Sequence, residues 1–432
     1  MGKYNANRTR RTHAVVSRGN QGEVRMSKTD KYDILILDAM LKQSLASARS
    51  LGRAGLRVAM GESLAHFNPS WPVPAFRSRF CHKSLVLPDL DDDAPAFVAA
   101  VIQFVRDHSP RVILTSGDAT IGTMRPYRDQ LAELGCVLAL APESALEIAN
   151  NKDRTLEIAR SLGIAAPGTI IINHIDELPA AVAEFGFPFV IKPTISWTDQ
   201  SSGRNIPVDV INMEEARAAT EVILAAGSGV LAQQYVGGRR EGVSFFIVDD
   251  EIVASCGHVA HRTSPPLGGA SALRESVIVP PEILDPAERL VKAAGLQGAC
   301  EVEFRRDVQG RPFLMEVNAR LAGTIENAIQ AGVDFPLMIW QSATGQEVTP
   351  VTMRRHGIRT RWLHGDLEWL WFNWSRGGRP DSVPRARSIW ILTSEFVRCR
   401  HYDYLDSRDL KPFVAELRYT LATLQKKLLS KP

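Results

Sequence analysis

Glu303 and Glu316 stand in two runs that alternate apolar and polar residues, Cys300-Glu301-Val302-Glu303-Phe304 and Phe313-Leu314-Met315-Glu316-Val317-Asn318. The turn-forming stretch Asp307-Val308-Gln309-Gly310 separates them. A period of two is that of a β-strand, and across a hairpin such residues can come near each other on one face. Asn318, two positions after Glu316, shares its face. Two carboxylates and an amide oxygen make a hard-oxygen set suited to Mg²⁺ (or Mn²⁺), which keeps waters and phosphate oxygens as its other ligands. Arg320 continues the alternation and is placed to meet a phosphate. The same spacing also fits a hairpin whose charged face is merely solvated.

Such a hairpin needs a scaffold. Residues 31–145 alternate strands and helices: Asp33-Ile34-Leu35-Ile36-Leu37, a helix over about Leu45 to Ala54, Arg57-Val58-Ala59-Met60, a helix over Ala96 to Arg106, then Arg111-Val112-Ile113-Leu114. That order predicts a parallel sheet with helices on both faces. The loop after the first strand, Asp38-Ala39-Met40-Leu41-Lys42-Gln43-Ser44, has no glycine to admit a pyrophosphate, so a dinucleotide site is rejected. The region is Rossmann-like in fold only.

From about Ala145 the pattern becomes α+β. A helix is expected over Asn151 to Leu162, ended by Gly163. Strands follow at 169–172, at 187–193 with Lys192 near its end, and at 230–236. The polar stretch Ser196 to Arg204 reads as a mobile loop. A hairpin is expected around Asp249-Asp250, then a helix over about 286–294 and the two glutamate-bearing strands. Residues 346–432 carry Trp369, Trp371 and Trp374 and end in an amphipathic helix from about Pro412 to Leu429. This segment is expected to be a packed helical lid or an oligomer surface, with membrane-surface binding by the tryptophans as the other reading.

A chain of 432 residues is long enough for two or three domains. Its apolar content of 45% and charged content of 23% are ordinary for a soluble globular protein, and a net charge of +3 gives no argument for nucleic acid. Residues 1–30 are basic and poor in apolar side chains, so they are expected to be a disordered lead-in. The five cysteines, Cys81, Cys136, Cys256, Cys300 and Cys399, form no CxxC pair and fit neither a zinc site nor a disulfide framework. No apolar run reaches the ~18 residues of a membrane span. A cytoplasmic protein is expected.

The glutamate-bearing runs with Ala319 and Arg320 resemble the metal-binding signature of the ATP-grasp superfamily. Other landmarks fall in the same order over about residues 33–345. Asn151-Lys152-Asp153 resembles the family's "DK" element, Val190-Ile191-Lys192-Pro193 its "IKP" strand, and Ala232-Gln233-Gln234-Tyr235-Val236 its adenine-pairing hinge strand. Glu241 falls where the family places its ribose-binding carboxylate, and Pro265 to Glu275 resembles the arginine loop. The resemblance implies a pre-ATP-grasp domain over 31–145, a two-lobed ATP-grasp domain over 146–345 and a helical C-terminal segment over 346–432. It also implies ATP as cofactor. Lys152 and Lys192 would bind the phosphates, Gln234, Tyr235, Val236 and Glu241 the nucleoside, and Glu303, Glu316 and Asn318 the metal. Arg274 and Arg320 would meet the transferring phosphoryl or the acceptor carboxylate. The sequence departs from the family in having Gln234 for the usual hinge glutamate, Asn318-Ala319-Arg320 for "NPR", and one glycine, Gly203, in the phosphate loop. Hydroxyls of Ser196, Thr198, Ser201 and Ser202 are expected to help there.

The whole-chain layout looks most like ATP-dependent carboligases and carboxylate–amine ligases akin to the large subunit of carbamoyl-phosphate synthetase. That likeness implies activation of a small-molecule carboxylate as an acylphosphate and its capture by an amine, in a chain able to form a homo-oligomer. Alternatives are a biotin-dependent carboxylase type, a kinase and a non-catalytic ATP-binding interaction protein. His258 and His261 are candidate substrate contacts. The substrate pair is not legible.

Overall fold

In β1 (Ile34–Ile36), three successive aliphatic residues are all buried. A strand covered on both faces requires such a run. Ile34 and Ile36 join one core with Leu45 and Ala48, whereas Leu35 joins another with Phe97 and Val101. β1 is the centre of a five-stranded parallel sheet of order β3-β2-β1-β4-β5, with β2 (Val58–Ser63), β3 (Cys81–Leu87), β4 (Val112–Leu114) and β5 (Val137–Leu138). The helices of this region are α1 (Lys42–Arg53), α2 (Ala94–His108), α3 (Asp118–Met124), α4 (Arg128–Glu133) and α5 (Glu143–Asn150).

The glycine-free loop after β1 has its own task. Asp38, at φ 58°, accepts hydrogen bonds from Thr115 Oγ1 at 2.6 Å and from the backbone N–H groups of Ser116 and Gly117 at 3.0 and 2.8 Å. A Cβ on Gly117 would lie 2.7 Å from Asp38 Oδ1, so this approach requires glycine. The start of α3 is thereby pinned, with Asp118 at its tip.

The second sheet is antiparallel, of order β6-β9-β7-β8, from β6 (Thr169–Ile172), β7 (Phe189–Pro193), β8 (Val208–Val210) and β9 (Val230–Gln234). Ahead of it lies α6 (Lys152–Ser161), and α7 (Leu178–Phe185) and α8 (Met213–Ala225) cover it. Asn151 caps α6, its side-chain oxygen accepting from the N–H groups of Asp153 and Arg154 at 3.0 and 3.2 Å. The helix ends as expected before Gly163, which adopts φ 68°.

The third sheet has eight strands: β10 (Arg240–Val248), β11 (Glu251–Ser264), β12 (Ala270–Val277), β13 (Gly298–Arg306), β14 (Pro312–Asn318), β15 (Val351–Thr352), β16 (Arg359–Arg361) and β17 (His401–Tyr402). Its order is β14-β13-β10-β11-β12-β16-β17, and β15 pairs with β11. The expected hairpin is present: β10 and β11 turn at Asp249 and Asp250, both in the left-handed region at φ 51° and 66°. Helix α9 (Pro281–Ala293) packs against one face, and its Ile283, Leu290 and Val291 share a core with Val243, Phe245 and Val302. On the other face, α10 (Ile325–Ala331) and α11 (Phe335–Ala343) share a core with β1 and α1.

The C-terminal helices are α12 (Leu363–Ser375), α13 (Arg385–Arg398) and α14 (Lys411–Leu429). The segment is more than helical, because β15, β16 and β17 extend the third sheet past residue 345. Its loop at 403–409 is anchored to α1: Arg49 donates to Asp409 Oδ2 at 3.0 Å and to the carbonyls of Asp403 and Tyr404 at 2.8 Å each.

The computed structural model describes residues 30–66, 73–194, 207–266, 268–375, 379–380 and 382–429, with side chains of the last helix to 425. The basic lead-in and the expected phosphate loop, with Ser196, Thr198, Ser201, Ser202 and Gly203, lie outside them. No helix of the described residues is long and apolar enough to cross a membrane.

Candidate active site

Glu303 on β13 pairs directly with Glu316 on β14, and Glu301 with Asn318. All four therefore share one face of the sheet. The ladder continues from Glu303 to Gly242 on β10 and His258 on β11. A Cβ on Gly242 would lie 2.3 Å from His258 Cε1, so the imidazole occupies the space a side chain there would take. Asn318 Nδ2 lies 3.4 Å from Glu316 Oε1, and Arg240 Nη1 lies 3.4 Å from Glu303 Oε2.

Glu301 and Glu303 are both buried. Burial, then the charge of Glu303, pushes the Glu301 carboxyl up to about 8. Burial also raises Glu303, opposed by Arg240 and reinforced by Glu316. Buried carboxyls raised in this way favour the neutral form, and a bound cation would hold them charged. Among the described residues no three His, Cys, Asp or Glu side chains cluster as a metal site. The candidate donor set is instead two carboxylates and the Asn318 amide, an incomplete shell of the kind that Mg²⁺ completes with waters and phosphate oxygens.

Two lysines face the carboxylates. The Lys152 N–H donates to the Thr194 carbonyl at 3.3 Å, which ties the start of α6 to the end of β7, where Lys192 sits. Burial, then the charge of Lys152, lowers Lys192 to about 8, against an upward pull from Glu316. Lys152 is lowered by burial, against upward pulls from Glu316 and Asp118. Paired cations depressed this way form a site for a polyanion. Lys152, Glu316 and Asn318 line a cleft of about 330 Å³. A second, of about 470 Å³, is lined by Asp118, Arg125, Asn150, Asn318 and Arg320, so Asn318 borders both.

Other expected residues are placed differently. Arg320 turns to Asp118, its Nε 2.5 Å from Oδ1 and its Nη2 3.1 Å from Oδ2. Burial pushes Asp118 up, but Arg320 and Lys152 hold it below the usual carboxylate range. Arg274 lies wholly buried on β12, with both Nη atoms bonded to the Asp403 carboxylate. Glu241 pairs with Phe304, the residue after Glu303, and so falls on the opposite face of the sheet from the metal candidates. There Arg239 Nε and Arg306 Nε bond it at 2.7 and 2.8 Å.

At the hinge, Gln234 Oε1 accepts from Gly168 N at 3.4 Å, while Tyr235 and Val236 follow the end of β9. Gln233 pairs with Val190, two residues before Lys192, and so shares the lysine's face; it is buried, and neither side-chain amide atom has a partner among the described residues. His258 is buried and pressed down to about 3 by desolvation, then by Arg240, Arg274 and Lys42. His261 is half exposed and contacts Glu275 at 3.0 Å.

Four residues were not singled out as site candidates from the sequence: Glu301, Gln233, Asp118 and Arg240. Period-two counting from Glu303 would have found Glu301; Gln233 reaches the face of Lys192 only through the pairing of β9 with β7. Asp118 and Arg240 had no such signal. Arg240 pairs with Arg305 on one side and Ala260 on the other, and Ala260 pairs with Arg274. Three arginines thus form a row beside the row of carboxylates. The Nε atoms of Arg240 and Arg274 have no partner among the described residues.

A family model described as "ATP-grasp in the biosynthetic pathway with Ter operon" matches residues 262–365, which hold Arg274, Glu303, Glu316, Asn318 and Arg320. The chain carries an ATP-grasp domain. Among curated relatives, a cyanophycin synthetase of Trichormus variabilis is 34% identical over 110 residues, 25% of this chain and 12% of the relative. A D-alanine–D-alanine ligase of Pseudomonas entomophila is 27% identical over 218 residues, 45% of this chain and 64% of the relative. In both cases this chain spans less than two thirds of the relative's length. The fold resembles an L-amino acid ligase from Bacillus licheniformis, with a TM-score of 0.54 at 19% identity over 73% of this chain and 74% of that one. It also resembles N5-carboxyaminoimidazole synthetase from Staphylococcus aureus, with a TM-score of 0.57 at 15% identity over 81% and 88%. The likeness in fold to these structures therefore extends well beyond the segment that the family model matches.

Proposed function

We propose that this protein is an ATP-dependent ligase that activates a carboxylate as an acylphosphate and joins it to an amine, releasing ADP and phosphate. The observation that carries the reading is the direct pairing of Glu303 with Glu316 opposite the buried lysines Lys152 and Lys192. Paired carboxylates facing paired cations suit a metal-bound triphosphate.

In this reading Lys152 and Lys192 compensate the phosphate charge, and the strand end at Gln234, Tyr235 and Val236 receives the adenine. Glu303, Glu316 and Asn318 would hold Mg²⁺, which when bound would compensate the negative charge of the phosphates. The γ-phosphoryl passes to a substrate carboxylate oxygen as the bond to the ADP oxygen breaks, and an amine then displaces phosphate at the acyl carbon. Arg320, held by Asp118, borders the cleft where the acylphosphate would form. The arginine row of Arg240 and Arg274 is the natural station for the acceptor's negative charge. Glu241, bonded by Arg239 and Arg306 on the opposite face, takes no part in the metal site in this reading. The D-alanine–D-alanine ligase and L-amino acid ligase likenesses favour amino-acid-like substrates.

The test is ADP release in a screen of mixed amino acids and carboxylates with Mg²⁺, followed by ¹⁸O tracing. Label passing from the substrate carboxylate into phosphate is the expected result. ADP formation with no label in phosphate would overturn the acylphosphate step.

A further inference from the structure

Helix α13 is amphipathic in the reverse of the usual sense. A helix on a globular surface ordinarily turns its apolar stripe inward. Here Ser388, Leu392, Glu395 and Cys399 face the protein. Ser388 accepts from Trp374 Nε1 at 3.2 Å, and Glu395 accepts from Arg359 at 3.0 Å. Ile389, Trp390, Phe396 and Val397, at i, i+1, i+7 and i+8, form one outward stripe, with Trp390 61% and Val397 84% exposed. Arg385, Arg387, Arg398 and Arg400 are exposed around it. The only carboxylate between 384 and 400 is Glu395, which is turned inward. Helix α14 repeats the chemistry: Val414, Leu417 and Leu421, with Leu410 just before the helix, are exposed beside Lys411 and Arg418, while its one acid, Glu416, is buried.

We propose that the outward face of α13 docks on an anionic lipid surface, with Trp390 and Phe396 entering the headgroup boundary and the arginines meeting lipid phosphates. Charge complementarity selects this occupant. A two-fold contact between copies of this chain would bring arginine rims together with no outward carboxylate to compensate them. Exposed aromatics rimmed by arginine are what a surface-lying helix uses at the interface of an anionic bilayer. No described helix can span the bilayer, so the attachment is peripheral.

The test is flotation of the full chain with vesicles of phosphatidylcholine alone and of phosphatidylcholine containing about one third phosphatidylglycerol. Binding to the anionic vesicles is expected to exceed that to the neutral ones by about tenfold and to fall as salt is raised. W390A/F396A lowers it about tenfold. R385Q/R387Q/R398Q lowers it to the neutral-vesicle level and removes the salt dependence. Trp390 and the three arginines are exposed, so W390A and R385Q/R387Q/R398Q should unfold thermally like the parent. The Phe396 ring also lies over the buried Arg361 guanidinium at 4.3 Å, so W390A alone, which should also lower binding, is the apolar variant that leaves the fold untouched. Failure to float, equal binding to both vesicles, or binding indifferent to both variants overturns the proposal. So does a dimer seen by sedimentation that Trp390→Glu dissociates, which would give this face to a second copy.

Discussion

Arg320, just beyond the end of β14, forms a two-bonded ion pair with Asp118, the first residue of α3. The strand that carries the metal candidates is thus tied to the parallel sheet of the first region. Asp118 is about half exposed, so the pair contributes little to stability, about 0.5–1 kcal/mol. Its effect should lie in catalysis, through placement of the guanidinium. Asp118→Ala is expected to lower kcat for ADP formation about tenfold and leave the KM for ATP within about twofold. Arg320→Ala should cost more, and the double variant no more than Arg320→Ala alone. A double-mutant cycle on kcat/KM measures this, and strictly additive losses would refute the coupling.

Lys192 sets stability against function. Its pKa is lowered from 10.5 to about 8, so the folded state buries a charge at neutral pH. The resulting cost is present below pH 8 and is relieved as pH rises from about 8 towards 10.5. Lys192→Met should therefore raise the melting temperature of the nucleotide-free protein at pH 7, by an amount worth at most about 3 kcal/mol. The same variant should bind ATP too weakly to detect. In the parent, ATP binding near pH 8 should take up protons, because a polyanion draws the lysine back to its charged form. Calorimetry in buffers of different ionisation enthalpy would report that uptake.

The parts of this site legible in the sequence are those that obey a local period. Glu303, Glu316 and Asn318 follow from alternation across a short turn, and the register of β13 and β14 agrees with it. The bulge after Glu303 is where counting stops being safe. Glu241 is placed by a different pairing, that of β10 with β13, where it lies opposite Phe304; its face follows from that register and not from its order along the chain. The parallel sheet was legible because β1 and β4 are unbroken aliphatic runs. Arg274 and Asp403 were not legible as a pair, since nothing local marks a partner so far along the chain. The same limit hid β16 and β17, short strands that only the folded sheet defines, β16 by pairing with β12 and β17 by pairing with β16.

Glu301 gives a pH-dependent signature. Its carboxyl is raised from 4.5 to about 8 by burial and by Glu303. A raised carboxyl stabilises the fold fully below the unfolded value and loses that contribution as pH climbs through the folded one. The difference in melting temperature between the parent and Glu301→Gln should therefore shift against the parent between about pH 4.5 and 8 without metal. Excess Mg²⁺ should flatten the difference if the neighbouring carboxylates hold it. Glu303→Gln should raise the Mg²⁺ concentration for half-maximal ADP formation about tenfold or more. An unchanged Mg²⁺ dependence in that variant would remove Glu303 from the ligand set.

Arg274 and Asp403 decide whether the arginine row acts on substrate or only holds the fold. Both are fully buried and bonded through two Nη–Oδ contacts, and Lys42 Nζ lies 3.7 Å from Asp403 Oδ2. Asp403→Ala strands two buried cations and should cost about 3–5 kcal/mol. Pairing Arg274→Met with Asp403→Leu removes the main charge pair and should recover most of that loss, as measured by urea unfolding. The refolded double variant then separates the two roles. If Arg274 contacts substrate, ADP formation stays at least about a hundredfold down although stability has returned. If activity returns with stability, Arg274 serves the fold alone. Arg240, with its Nε unpartnered and its Nη1 3.4 Å from Glu303, then remains as the cation that meets the acceptor.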